Sequence, residues 1–153
     1  MRGPILAKAA FVLGSLGLLC AMASDALAVL GRHLGLPLRG SIELVESSIV
    51  LMACASLVGT TLERGHASVH LLTERLPARA RRVLASAANL AGALFFAWLL
   101  LGSALVLADL WHGAEQTELL GIPIAPLRVL WCATAAAIAL AFGAQALAGR
   151  RAA

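Results

Sequence analysis

Apolar residues fill four long runs of the chain, and short polar stretches separate these runs. The runs cover residues 9–30, 42–62, 83–108 and 126–148. Each run is close to the roughly 20 residues with which a helix crosses about 30 Å of hydrocarbon. A spanning segment must satisfy its own backbone hydrogen bonds in lipid, and these runs lack the strict alternation of barrel strands. We therefore predict an all-α membrane protein with four transmembrane helices in one domain, residues 1–153.

The polar stretch between the second and third runs has the pattern of an amphipathic helix that ends at Pro77. On a helix, four groups fall within about 80° of one another: Glu63, His66, His70 and Glu74. The opposite side is apolar, with Val69, Leu72 and Leu76. This pattern predicts a helix in the membrane interface, with its polar side facing water or a partner.

Another interpretation of the polar side remains open. His66 and His70 stand at i and i+4 beside carboxylates, a spacing that can bind zinc. Ala67 occupies the place where a zinc protease has its glutamate, so we favour the solvated or partner-facing interpretation. A metal- or redox-linked membrane protein that uses this side stays as an alternative.

The first run has features of a signal peptide, because Arg2 and Lys8 precede it and Ala21 and Ala23 form an A-x-A pattern. However, the apolar residues continue beyond Ala23 to full spanning length. We therefore predict an uncleaved membrane helix.

Composition agrees with lipid as the solvent of this chain. It is 61% hydrophobic and 13% charged, with a mean hydropathy of +0.91, whereas soluble domains are about half apolar and about a quarter charged. The three cysteines lie far apart inside apolar runs, which indicates neither a metal motif nor a disulfide framework.

The net charge of +4 is explained by membrane topology. With both termini inside, nine of the 12 Lys and Arg residues are cytoplasmic, and Arg32, Arg39 and Arg128 lie outside. We therefore predict an N-in, C-in orientation, with arginines at residues 79–82 facing lipid headgroups. No basic-aromatic stripe occurs, so no nucleic-acid partner is expected.

Two acidic residues, Glu43 and Glu46, stand one turn apart near the start of the second run. Carboxylates at membrane depth usually face protein or water. They either form contacts between helices or subunits, or reach from the interface to water. We name Arg39, Glu43, Glu46 and Arg64 as candidates for intersubunit or inter-helix polar contacts.

The spans carry no constellation of nucleophile and base, no phosphate-binding loop and no histidine for haem. Prolines lie outside the interiors of the spans, which predicts continuous helices and favours an accessory subunit over a complete transporter. We expect no enzyme activity and no cofactor, and we assign no catalytic, substrate-binding or metal-binding residue. A stand-alone small transporter remains a further alternative.

Three segments occur in an order typical of a known family: "GRHLGLPLRGSIELVE" (31–46), "LERGHASVHLLTERLPARARR" (62–82) and "TELLGIPIAP" (117–126). Over nearly its whole length the chain resembles the small membrane subunit of tripartite ATP-independent periplasmic (TRAP) transporters. The resemblance implies a multi-pass accessory subunit of a bacterial inner-membrane symport system for organic acid uptake. It also implies two protein partners: a periplasmic solute-binding protein that delivers the acid, and a large permease subunit that carries the substrate and sodium sites. In such a system this chain is a fixed scaffold for the large subunit.

Overall fold

The computed structural model describes residues 3–62, 77–113 and 115–151. Four α-helices account for most of them: α1 (Gly3–His33), α2 (Ser41–Leu62), α3 (Ala78–Leu110) and α4 (Ile124–Arg151). All four are long and apolar enough to cross a membrane, and the described residues form no strand. The predicted class, an all-α membrane protein with four spanning helices, is confirmed. The single domain and the N-in, C-in orientation stay predictions.

The predicted interfacial helix falls on residues 63–76, which lie outside the described residues. This range includes the whole predicted apolar side and the whole predicted polar side. The interfacial helix therefore also stays a prediction.

The four helices form two antiparallel hairpins. Helix α1 packs along α2, helix α3 packs along α4, and contacts between α2 and α4 join the two hairpins. Helices α2 and α4 are therefore central, whereas α1 and α3 lie at the two sides of the bundle.

Small residues form the contact between α1 and α2. The buried positions of α1 recur at spacings of three, four or seven, as in left-handed helix pairs: Ala10, Gly14, Gly17, Ser24 and Ala28. A Cβ atom on Gly17 would lie 3.0 Å from the carbonyl oxygen of Ser48. The absence of a side chain at this position lets the two backbones approach closely.

The contact between α3 and α4 combines close packing with two hydrogen bonds. Gly92 lies against the Phe142 ring, 3.3 Å from the place of its missing Cβ. The Ser86 hydroxyl donates to the Ala146 carbonyl at 3.1 Å, and the Trp131 indole N–H donates to the Ser103 hydroxyl at 2.9 Å. Such bonds give directional contacts between helices in lipid, where apolar surface alone does not drive association.

Large apolar side chains point away from the bundle rather than into it. Trp98, Phe11 and Leu140 are 78%, 76% and 74% exposed, while the buried apolar residues are mostly alanines. This distribution would leave a water-soluble protein with an exposed apolar surface, and it suits a chain surrounded by lipid or by other membrane subunits.

Candidate functional site

The connection between α1 and α2 is a sharp, well-defined turn. Helix α1 ends in a Schellman motif, in which Gly35 has φ +76° and the Leu36 N–H donates to the Gly31 carbonyl at 2.8 Å. Gly40, with φ +82°, precedes α2, and its carbonyl accepts the Leu44 N–H at 3.2 Å. The positive φ values explain why glycine occupies both positions. This turn places Glu43 in the first turn of α2.

The connection between α3 and α4 folds back on itself between Thr117 and Ile122. The Thr117 N–H donates to the Ile122 carbonyl, and the Ile122 N–H donates to the Thr117 hydroxyl, both at 3.0 Å. The Gly121 N–H donates to the Thr117 carbonyl at 3.2 Å, and Gly121 has φ +66°. These bonds hold the turn in one conformation and leave the N–H groups of Leu119 and Leu120 available to α2.

The Glu43 carboxylate binds this turn with both oxygen atoms. Oε1 accepts the Leu119 N–H and Oε2 accepts the Leu120 N–H, each at 2.8 Å. Hydrogen bonds to an ionised group are shorter and stronger than those between neutral groups. They connect the first hairpin to the loop of the second.

Gly40 adds a steric contact to the same junction. A Cβ atom there would lie 2.6 Å from Cγ of Leu120, so only glycine allows this approach without a shift. We call Gly40, Glu43, Leu119 and Leu120 the loop clasp. It joins the two connections at one end of the bundle.

A cleft lies next to the loop clasp, between α2 and α3, with α4 as its floor. Its volume is about 530 Å³. Its walls are apolar or small: Ile49, Val50, Ala53, Gly102, Val106 and Leu127. Glu46 and Arg128 also line it, and Arg128 forms an ion pair of 2.8 Å with Glu115.

The candidate polar residues named from the sequence have different surroundings in the structure. Glu43 belongs to the loop clasp, whereas Glu46 lines the cleft. Arg39 is exposed and has no hydrogen-bond or ionic partner among the described residues. Arg64 lies outside the described residues. The structure thus brings Glu43 and Glu46 to neighbouring places and does not bring Arg39 to either of them.

The candidate metal-binding side of residues 63–76 lies wholly outside the described residues. Within the described ranges, no group of three or more His, Cys, Asp or Glu side chains is arranged to hold a metal ion. The metal alternative therefore gains no support from the part of the chain that the structure describes.

Several of the polar partners have little or no signal in the sequence. The contact of Leu119 and Leu120 with Glu43 has none, because any residue other than proline has the same backbone N–H group. The Glu115–Arg128 pair had a weak signal, since its opposite charges flank a short proline-containing segment. The Trp131–Ser103 bond had no signal beyond the residue types.

The fold and the site define a class of protein: a multi-pass helical membrane subunit whose polar contacts connect its own helices and loops. The family model "Tripartite ATP-independent periplasmic transporters, DctQ component" matches residues 18–152. The chain therefore belongs to the DctQ family, the small permease component of TRAP transporters, and is a multi-pass protein of the inner membrane. The family resemblance and the location predicted from the sequence are confirmed.

No curated protein and no solved structure matches the chain significantly.

Proposed function

We propose that this small permease subunit is a static scaffold for the large permease subunit of its transporter. In this proposal the transporter takes up an organic acid with sodium, and a periplasmic solute-binding protein delivers that acid. The substrate and sodium sites belong to the large subunit. The partners of this chain are the large subunit, the binding protein and membrane lipid.

The observation that carries the proposal is the loop clasp. Its two hydrogen bonds at 2.8 Å join two hairpins whose main helix contact, among the described residues, is that of α2 with α4. A second attachment at the end of the bundle restricts rotation of one hairpin against the other. Such a body is suited to hold a neighbouring subunit in place.

The course of the helices also supports a scaffold. Transporter pathways are typically built from discontinuous helices that place polar groups near the midplane. Each of the four helices here is one continuous element, of 31, 22, 33 and 28 residues. The family itself consists of transporter components, which favours a non-enzymatic role.

The proposal includes an orientation. We place the loop clasp on the periplasmic side and both termini in the cytoplasm, because this leaves most arginines inside. The interfacial helix over residues 63–76 then lies on the cytoplasmic surface. Reporter fusions after Gly113 and after Ala153 test this orientation. A periplasmic reporter should be active only at Gly113, and activity only at Ala153 would reverse the topology.

Transport by purified subunits tests the scaffold function. A thermal-shift screen against the periplasmic binding protein first identifies an organic acid as the probe. Uptake of that acid is then measured in proteoliposomes containing the large subunit, with and without this chain and with and without a sodium gradient. We expect sodium-driven uptake only when both subunits are present. Full uptake by the large subunit alone would contradict the scaffold, and uptake by this chain alone would favour the stand-alone transporter.

A further inference from the structure

The cleft between α2 and α3 is open along part of the bundle. On α2 it extends from Glu46 to Ala53, which corresponds to about 10 Å along a helix axis. Helices α2 and α3 both pack on α4 rather than along each other. The two walls and the floor therefore form a trough that another helix can enter from the side.

Small residues widen this trough. A Cβ atom added to Gly102 would meet no heavy atom within 4 Å, so space adjoins α3 at this point. Ala53 lines the opposite wall. Small residues at helix surfaces allow a neighbouring backbone or its large side chains to come close.

Glu46 is the polar group that identifies the kind of occupant. It is exposed, and it has no hydrogen-bond or ionic partner among the described residues. A carboxylate on a spanning helix is costly unless it faces protein or water. Its hydrogen bonds therefore come from water or from a neighbouring molecule that supplies a donor or a cation.

The charges near Glu46 favour a protein side chain over a phospholipid headgroup. Arg128 is the cationic residue that lines the cleft, and Glu115 already neutralises it at 2.8 Å. Together the three side chains carry a net negative charge, which repels the phosphate of a lipid. A basic or hydroxyl-bearing side chain on a transmembrane helix has the opposite complementarity.

We propose that the cleft seats a transmembrane helix of the large permease subunit, and that a donor side chain of this helix binds Glu46. The proposal rests on the scaffold function and specifies which face of this chain the large subunit occupies. It leaves the outer faces of α1 and α3, the helices at the two sides of the bundle, to lipid.

Photocrosslinking within the assembled complex tests the face. A benzophenone amino acid is introduced at Val106, which lines the cleft, or at Leu105, the adjacent residue of α3 that does not. Both side chains are exposed and lie at nearly the same depth. We expect a crosslink to the large subunit from Val106 and several-fold less from Leu105. Equal crosslinking from both positions, or crosslinking from Val106 to phospholipid alone, would overturn the proposal.

Blocking the trough is a second, independent test. Gly102→Leu fills space within the cleft, and Gly143→Leu is a matched control, because a Cβ atom there also meets nothing within 4 Å and Gly143 does not line the cleft. We expect Gly102→Leu to lose most of the co-purified large subunit and Gly143→Leu to retain it. Thermal unfolding of each variant alone shows whether it is folded.

Removing the carboxylate tests the polar contact in the same assay. Glu46→Ala should reduce co-purification, whereas Asp109→Ala, which removes an exposed acid at the end of α3, should not. If the wild-type chain does not co-purify with the large subunit, the scaffold function itself fails. If the wild type co-purifies and all cleft variants do so equally, the scaffold stands and the cleft proposal is wrong.

Discussion

Glu43 and Glu46 lie one turn apart on the same helix but differ in their surroundings. Glu43 uses both carboxylate oxygens to bind backbone N–H groups of the other connection, each at 2.8 Å. Glu46 lines an open cleft and has no partner among the described residues. Glu43 therefore makes its hydrogen bonds within the chain, whereas Glu46 makes none with the described residues.

This difference distinguishes two roles that the sequence presents as one. A carboxylate whose acceptors are satisfied within the chain stabilises that chain's own fold. A carboxylate of a spanning helix without such a partner receives its hydrogen bonds from water or from another molecule. In our proposal the loop clasp is a contact within the chain and the cleft is a docking surface for another subunit, and four predictions test this separation.

Matched glycine substitutions should show the largest difference. Gly40→Ala places a side chain at φ +82° and 2.6 Å from Leu120 Cγ, and we expect it to lower the free energy of unfolding by about 1–3 kcal/mol. Gly102→Ala enters open space within a helix and should raise it by up to about 1 kcal/mol. Thermal unfolding in detergent, followed by tryptophan fluorescence, measures both. Equal effects would mean that the loop clasp is no more closely packed than the cleft.

Substitution of Glu43 and of Glu46 should give the second largest difference. Glu43→Ala leaves the Leu119 and Leu120 N–H groups without their acceptor, so hydrogen exchange at these amides should become several-fold faster. Glu46→Ala in the isolated subunit should leave their exchange unchanged, and Glu43→Gln should have an intermediate effect because one carbonyl oxygen remains. Unchanged exchange in Glu43→Ala would contradict the role of Glu43 in the loop clasp.

A smaller effect is expected for the hydrogen bond between Trp131 of α4 and Ser103 of α3, which both line the cleft. A double-mutant cycle of Trp131→Phe and Ser103→Ala should give a coupling of about 0.6 kcal/mol, as is common for hydrogen bonds between membrane helices. Zero coupling would show that this hydrogen bond adds nothing to the packing of α3 on α4.

The smallest effect should come from the Glu115–Arg128 pair. Its side chains are 36% and 29% exposed, and exposed ion pairs contribute little. The cycle of Glu115→Gln and Arg128→Gln should give at most about 0.5 kcal/mol, and the coupling should decline in about 1 M salt. A coupling comparable to that of a buried pair would show that this ion pair holds the α3–α4 connection against α4.

The sequence was sufficient to predict the fold class because hydrophobic length alone determines a spanning helix. It also singled out Glu43 and Glu46 as unusual acids in an apolar run. It could not assign different roles to Glu43 and Glu46, because the partners of Glu43 are backbone amides of a turn that is 76 residues away along the chain. Gly40 and Gly121 were the residues of the sequence that could indicate the loop clasp. Glycines often adopt the positive φ values of tight turns, and these two lie in the turns on both sides of the clasp.

The openness of the cleft was also beyond sequence reasoning. The small residues Ala53 and Gly102 are ordinary in alanine-rich helices, and only the arrangement of α2 and α3 on α4 shows that they face unfilled space. Helix pairing in lipid depends on packing detail rather than on a hydrophobic pattern, so the sequence does not specify which helices are neighbours.

Uptake with the loop clasp covalently locked tests the static scaffold most directly. Leu38 and Leu119 are exposed and line the same pocket beside the loop clasp. A bis-methanethiosulfonate crosslinker can therefore join Leu38→Cys and Leu119→Cys, after Cys20, Cys54 and Cys132 are replaced by alanine, with Gly40 and Glu43 unchanged. If this chain stays fixed while the large subunit moves, crosslinking should leave the uptake rate of the complex unchanged. Loss of uptake on crosslinking and its recovery when a reductant releases the crosslinker would show that the two hairpins move during transport, which contradicts the scaffold.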